Sequence, residues 1–238
     1  MLDKDAHSHH ISQQFNTELD AVKTHMMEMG GLVEKQVSDA VFSILNADSG
    51  MAETVKERDK LINAMEVSVD DECARILARR QPAASDLRLV IAISKAVNDL
   101  ERIGDEAGKI ATQALALAEA GEPSKGSVEI RMIGEHVGRM VHDALDAFAR
   151  LDVDKALEVA REDKLVDAEY GTAMRSVMTY MMEDPRSISS MLNVLWSLRS
   201  LERVGDHARN IAEHVIYLVK GKNVRHVGLT ELAKHVEQ

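Results

Sequence analysis

The hexapeptide pattern Leu-Glu-Arg-aliphatic-Gly-Asp occurs twice, at 100–105 and at 201–206, each time inside a long run whose apolar residues recur every three or four positions. A duplicated motif embedded in helical periodicity confines the chain to a helical fold built from two equivalent halves. The duplication extends well beyond the hexapeptide. Asp59-Lys60-Leu61-Ile62-Asn63-Ala64 matches Asp163-Lys164-Leu165-Val166-Asp167-Ala168, and Pro82 matches Pro185. From the first Asp to Pro is 23 residues in one half and 22 in the other, and from Pro to Glu 19 against 17.

The periodicity divides into six stretches. Phe15, Leu19, Val22, Met26, Met29, Val33, Val37, Val41 and Ile44 form one stripe, broken by Asp48-Ser49-Gly50. A second runs from Val55 to Ile76 and stops at Gln81-Pro82, and a third runs from Leu87 to Leu117 and stops at Gly121-Glu122-Pro123. The second half reads alike: Val128 to Phe148, Leu157 to Met182, and Ile188 to Val219 before Gly221. No stretch alternates with period two long enough to make a strand. The pattern predicts an all-α protein of two tandem three-helix bundles, residues 1–122 and 123–221, related by a pseudo-twofold axis, with a polar tail at 222–238.

Composition removes several functions. Aromatic residues are 3% of the chain and prolines number 3, which disfavours a β-sandwich or barrel. Lys and Arg total 29 against 40 Asp and Glu, and the net charge of −11 repels nucleic-acid backbones. The first residues are acidic and polar, so no secretory signal is expected, and no window has the roughly 20 apolar residues of a membrane span. The single Cys73 offers neither an internal disulfide nor a zinc spacing; it reads as inert core in a reducing, cytoplasmic setting.

Chemistry is concentrated in the repeated acids. Glu101 with Asp105, and Glu202 with Asp206, stand four residues apart on the third helix of each half, where both carboxylates share a face. Asp59 with Asn63, and Asp163 with Asp167, have the same spacing on the neighbouring second helix. Two carboxylates about 5 Å apart repel by about 3 kcal/mol at an effective dielectric near 20, so such a cluster must be solvated, protonated or neutralised. Oxygen-only ligands suit magnesium, manganese, calcium or ferric iron better than zinc. With Asn63 opposite Asp167, the second cluster carries one more negative charge and is expected to bind cations more strongly. The rival reading makes these acids a solvated face paired with Arg102 and Arg203. Gly104 and Gly205 weaken their helices by about 1 kcal/mol each relative to Ala, which points to close helix approach or room for a ligand.

Other residues read as less informative. His7, His9 and His10 belong to a disordered or capping terminus; His136, His142 and His214 are partly buried or surface histidines; and His207 is turned away from Asp206. Trp196 is expected in the core or an interface, and Met174, Met178, Met181 and Met182 offer an adaptable surface. Lys220, Lys222, Arg225 and Lys234 read as a solvated tail.

The duplicated motif on six helices, with His10-Ile11-Ser12, Phe15, Glu18-Leu19 and Met29-Gly30 in the first helix, resembles the PhoU family of bacterial phosphate-signalling proteins over roughly residues 15–221. The resemblance implies a cytoplasmic regulator without enzymatic turnover, a negative regulator of the phosphate-starvation (Pho) response and of phosphate uptake. It would link the ATPase subunit of the phosphate ABC transporter to a PhoR-type sensor histidine kinase, reaching the membrane only through those partners, and would form homodimers. It also implies a divalent or ferric ion (magnesium, manganese, iron or zinc) held by Asp59, Glu101 and Asp105 in one half and Asp163, Asp167, Glu202 and Asp206 in the other. Asn63 departs from the carboxylate pattern. Two rivals are a helical adaptor without metal and a carboxylate-bridged metal enzyme. The enzyme is disfavoured because no Glu has a His three residues later, the spacing of ferritin-like di-iron sites.

Overall fold

The breaks in the periodicity are closed by caps. Asp48 accepts a hydrogen bond from the Met51 backbone N–H at 2.9 Å, and Asp152, its counterpart 104 residues later, accepts from Lys155 at 3.0 Å. Gly121 and Gly221 end the third and last helices at φ +66° and +71°, the left-handed conformation that glycine adopts without steric cost. In the computed structural model these caps delimit α1 (Asp3–Asn46), α2 (Ser49–Arg80), α3 (Ala84–Ala120), α4 (Ser127–Arg150), α5 (Val153–Glu183) and α6 (Ile188–Lys220), with a 3-10 turn at Pro185–Ser187 before α6.

The structure describes residues 3–121, 126–222 and 224, with side chains from Gln13 onward. The backbone of the segment read as a disordered or capping terminus is helical from Asp3; the side chains of His7, His9 and His10 lie outside the described residues, as do Arg225, Lys234 and the 122/123 boundary.

The helices form two clusters, α1–α3 and α4–α6, around one continuous core. The stripe of α1 is buried at Val22, Met26, Met29, Val33 and Val37, with Phe148 among the largest fully enclosed side chains. Burial of each such aliphatic contributes about 1.5–3 kcal/mol. The most extensive helix contact is α3 with α6, which cross from one half to the other. These two carry many buried alanines, including Ala92, Ala96, Ala107, Ala111, Ala208 and Ala212, whose small side chains permit close backbone approach. They run antiparallel, since Arg88 donates to the Leu218 carbonyl while Glu106 pairs with Arg203.

The pseudo-twofold relation is visible where α1 meets α4. A Cβ on Gly30 would lie 2.6 Å from Leu145 Cδ2, and one on Gly134 would lie 2.9 Å from both γ-carbons of Val41. Gly30 and Gly134 are 104 residues apart, as are Val41 and Leu145, so the glycine-on-aliphatic contact is reciprocal.

Trp196 is 56% exposed and Leu87 37%, so both lie outside the core, and of the two readings of Trp196 the interface one remains. Both sit on turns of helix whose other faces already meet the bundle. Of the methionine group, Met181 packs against the core while Met178 and Met182 are exposed.

Candidate functional site

Each half gathers its acids where its second and third helices approach. On α3, a Cβ on Gly104 would lie 3.3 Å from Ile62 Cγ2 and 3.6 Å from Asp59 Oδ1. On α6, one on Gly205 would lie 3.5 Å from Val166, the residue equivalent to Ile62. The glycines thus mark close helix approach, tighter in the first half.

In the first cluster, fully buried Gln36 of α1 donates through Nε2 to Asp59 Oδ1 at 3.3 Å and to the Gly104 carbonyl at 3.1 Å. Three helices therefore meet at Asp59. Arg102 lies between Glu101 and Asp105, with Nε 3.3 Å from Glu101 Oε2 and Nη1 3.6 Å from Asp105 Oδ2. Burial, then the charge of Asp105, raises the Asp59 carboxyl above its ordinary range against the Gln36 hydrogen bond. Burial also leads in raising Glu101, followed by Asp105 and opposed by Arg102, with Glu66 and Asp59 adding smaller contributions. Gln36 Oε1, Asn63 Oδ1 and Glu101 Oε2 are buried without a hydrogen-bond donor.

The second cluster is organised differently. Arg209 of α6 donates through Nη1 to Asp163 Oδ2 at 2.9 Å and through Nε to Glu213 Oε1 at 3.0 Å. Asp163 and Glu213 are each 4% exposed. Arg199 donates to Glu202 Oε1 at 2.6 Å, leaving Glu202 Oε2 buried without a donor. Burial first, then Asp206, raises the Glu202 carboxyl. Asp206 rises through desolvation and the charges of Asp163 and Asp167, and Glu213 rises through burial against the opposing pull of Arg209.

The predicted acids therefore share one electrostatic neighbourhood in each half. Among the described residues, however, no three His, Cys, Asp or Glu side chains converge as metal ligands. As arranged, neither cluster is a closed metal centre. Each holds a buried carboxylate oxygen without a hydrogen-bond donor and each contains guanidinium, Arg102 in the first and Arg199 and Arg209 in the second, but only in the second does a guanidinium sit on the acid of the second helix, Asp163. Arg102 pairs with Glu101 and Asp105 as the rival reading expects, but Arg203 reaches across to Glu106 of α3 at 3.0 Å.

Sequence reasoning missed Gln36, Arg209 and Glu213, and also a polar junction between the halves. Asp99 of α3, 9% exposed, accepts from His207 Nδ1 at 2.9 Å, Asn210 Nδ2 at 3.0 Å and His214 Nε2 at 2.9 Å, all from α6. Burial pushes its carboxyl up, but these hydrogen bonds outweigh it and hold it at about 2. A signal was available for His207, Asn210 and His214, whose three- and four-residue steps put them on one helix face. Nothing in the spacing pointed to Asp99. His136 is clamped by Glu162 at 2.8 Å and Glu169 at 3.0 Å, and the buried Cys73 thiol is pushed up to about 12, chiefly by burial, so it is unreactive.

The PhoU domain model matches residues 26–114 and 130–215, one copy per half. A relative from Pseudomonas aeruginosa, a phosphate-specific transport system accessory protein PhoU homolog, is 64% identical over 237 residues, covering 100% of this chain and 98% of that protein. The crystal structure of PhoU from Pseudomonas aeruginosa superposes with a TM-score of 0.86 at 64% identity, covering 87% of this chain and 100% of that one. The phosphate transport system regulatory protein PhoU from Streptococcus pneumoniae gives 0.81 at 32% identity, covering 88% and 99%. With the repeat, the six-helix architecture and these matches all spanning the same two halves, this chain belongs to the PhoU family.

Proposed function

We propose that this protein is a helical adaptor that represses the phosphate-starvation response when phosphate is plentiful, by coupling the ATPase subunit of a phosphate ABC transporter to a PhoR-type sensor histidine kinase. Regulation of phosphate homeostasis is the general role of the family, whose members are accessory and regulatory proteins rather than enzymes. The reading puts the protein on the cytoplasmic face of the membrane, held there by its partners and acting as a homodimer. No helix among the described residues is long and apolar enough to cross a membrane.

The observation that supports an adaptor working without metal is the pairing of the acids. Arg209 is shared by Asp163 and Glu213, Arg199 pairs with Glu202, and Arg102 is shared by Glu101 and Asp105, so each of these acids has a guanidinium partner. Binding at a preformed helical surface then biases the kinase toward one state through differential affinity. A second reading has a specific observation behind it: the buried oxygens of Gln36 and Asn63, which accept no hydrogen bond, suit a divalent or ferric cation held by Asp59, Glu101 and Asp105. Such an ion would supply charge neutralisation and tie α2 to α3.

The experiment is a pull-down of the kinase's cytoplasmic region and of the transporter ATPase by chelator-treated protein, with bound metal measured by elemental mass spectrometry. Full binding after chelation is the expected result. Binding lost on chelation and restored by Mn2+ makes the metal-dependent reading the correct one, and a chain that captures neither partner under any condition overturns the adaptor. Light scattering of the purified chain reads the dimer.

A further inference from the structure

The two acidic clusters occupy equivalent places in the repeat but differ in charge at two positions, Asn63 against Asp167 and Gly108 against Arg209, and the second difference is the one that meets the buried acid. Gly104 corresponds to Gly205, so four residues on, Gly108 corresponds to Arg209. The geometry agrees: a Cβ on Gly108 would lie 3.9 Å from the Asp59 carboxyl carbon, and Arg209 at the matching place donates to Asp163 at 2.9 Å. The same helix face therefore looks at the same acid in both halves. In the first half it presents no side chain. In the second it presents a guanidinium that also holds Glu213.

We infer that Arg209 is a built-in counter-cation that closes the second acidic cluster to metal ions, so that any response of this protein to a divalent cation comes from the first cluster alone. The last clause rests on the reading of Asp59, Glu101 and Asp105 as cation ligands. The extra carboxylate of the second cluster, Asp167 in place of Asn63, does not make it the stronger cation site, because the guanidinium occupies both of its most buried acids, Asp163 and Glu213. A metal ion entering this cluster must displace Arg209 from two carboxylates that are each 4% exposed and leave them to find other partners. No comparable group has to leave Asp59, whose hydrogen bond comes from the neutral amide of Gln36.

The test titrates the full-length protein with Mn2+ by calorimetry and by thermal melting. Removing the guanidinium in R209A, or restoring the first-half residue in R209G, is expected to add one Mn2+ per chain, with binding at this cluster at least about tenfold tighter, because ligand charge sets cation affinity. The added site should disappear in R209A/D163N, while R209K, which keeps the positive charge, should behave as the natural protein. Circular dichroism establishes that each variant is folded, and Mn2+ should raise the melting temperature of R209A more than that of the natural protein. If D163N in the natural background lowers Mn2+ uptake, or if R209A and R209G both fold and gain no site, the inference is overturned. The reading of the first cluster fails separately: D59N would then leave Mn2+ uptake by the natural protein unchanged, while the gain in R209A would still stand.

Discussion

Arg209 Nη1 lies 2.9 Å from Asp163 Oδ2, whereas Asp59, the equivalent acid of the first half, accepts from the Gln36 amide. One position, arginine in one half and glycine in the other, decides whether the acid of the second helix is met by a positive charge. Because Asp163 is 4% exposed, loss of that charge leaves an anion where water cannot solvate it well.

R209A is therefore expected to lower stability at pH 7 by about 2–4 kcal/mol, below the upper end for fully buried pairs because Arg209 itself is partly exposed. Urea denaturation measures the loss. D163N added to R209A should recover part of it, and a double-mutant cycle without coupling would show that the contact is incidental.

Asp99 gives the junction of α3 and α6 a dependence on acid. Its carboxyl is held at about 2 in the folded chain, below its ordinary 3.8. A depressed carboxyl contributes stability that is complete above its unfolded value and is lost as pH falls through the folded one. The protein should lose about 2 kcal/mol from this group between pH 4 and pH 2. D99N should show a shallower decline over that window by chemical denaturation; an unchanged slope contradicts the assignment.

The raised carboxyl of Glu101 works in the opposite direction. Ionised at pH 7 beside Asp105 and Asp59, it costs stability, and protonation as pH falls through its raised folded value relieves that cost. E101Q should stabilise the metal-free protein at pH 7, with the gain shrinking toward pH 4. Paired denaturation curves at the two pH values read this directly.

The glycines separate by what faces them. G205A places its methyl 3.5 Å from Val166 and 3.6 Å from Val137, ordinary contact distances, so the gain in helix propensity should appear as up to about 1 kcal/mol of added stability. G134A drives its methyl to 2.9 Å from both γ-carbons of Val41, a β-branched side chain with little rotamer freedom in a helix, and should cost about 1–3 kcal/mol. Thermal melts of the two variants should shift in opposite directions.

Much of this molecule was determined by its sequence alone. The three-and-four spacing fixed which face of each helix turns inward, as at Val22, Met26 and Met29, and the break at Asp48 marked where α2 begins. The repeat identified the family and put Glu101 beside Asp105 and Glu202 beside Asp206, because residues four apart on a helix are neighbours wherever that helix packs. Tertiary structure alone decided what met those acids. Gln36 reaches Asp59 from α1, Asp99 reaches His207 and His214 across the two halves, and Arg203 leaves its own motif for Glu106. Periodicity specifies the direction a side chain leaves its own helix but not the residue of another helix that stands opposite. The charge state of a carboxylate depends on that residue and on burial, so the Asn63 and Asp167 difference was legible in the sequence, while the contact of Arg209 with Asp163 emerged only once the helices were packed.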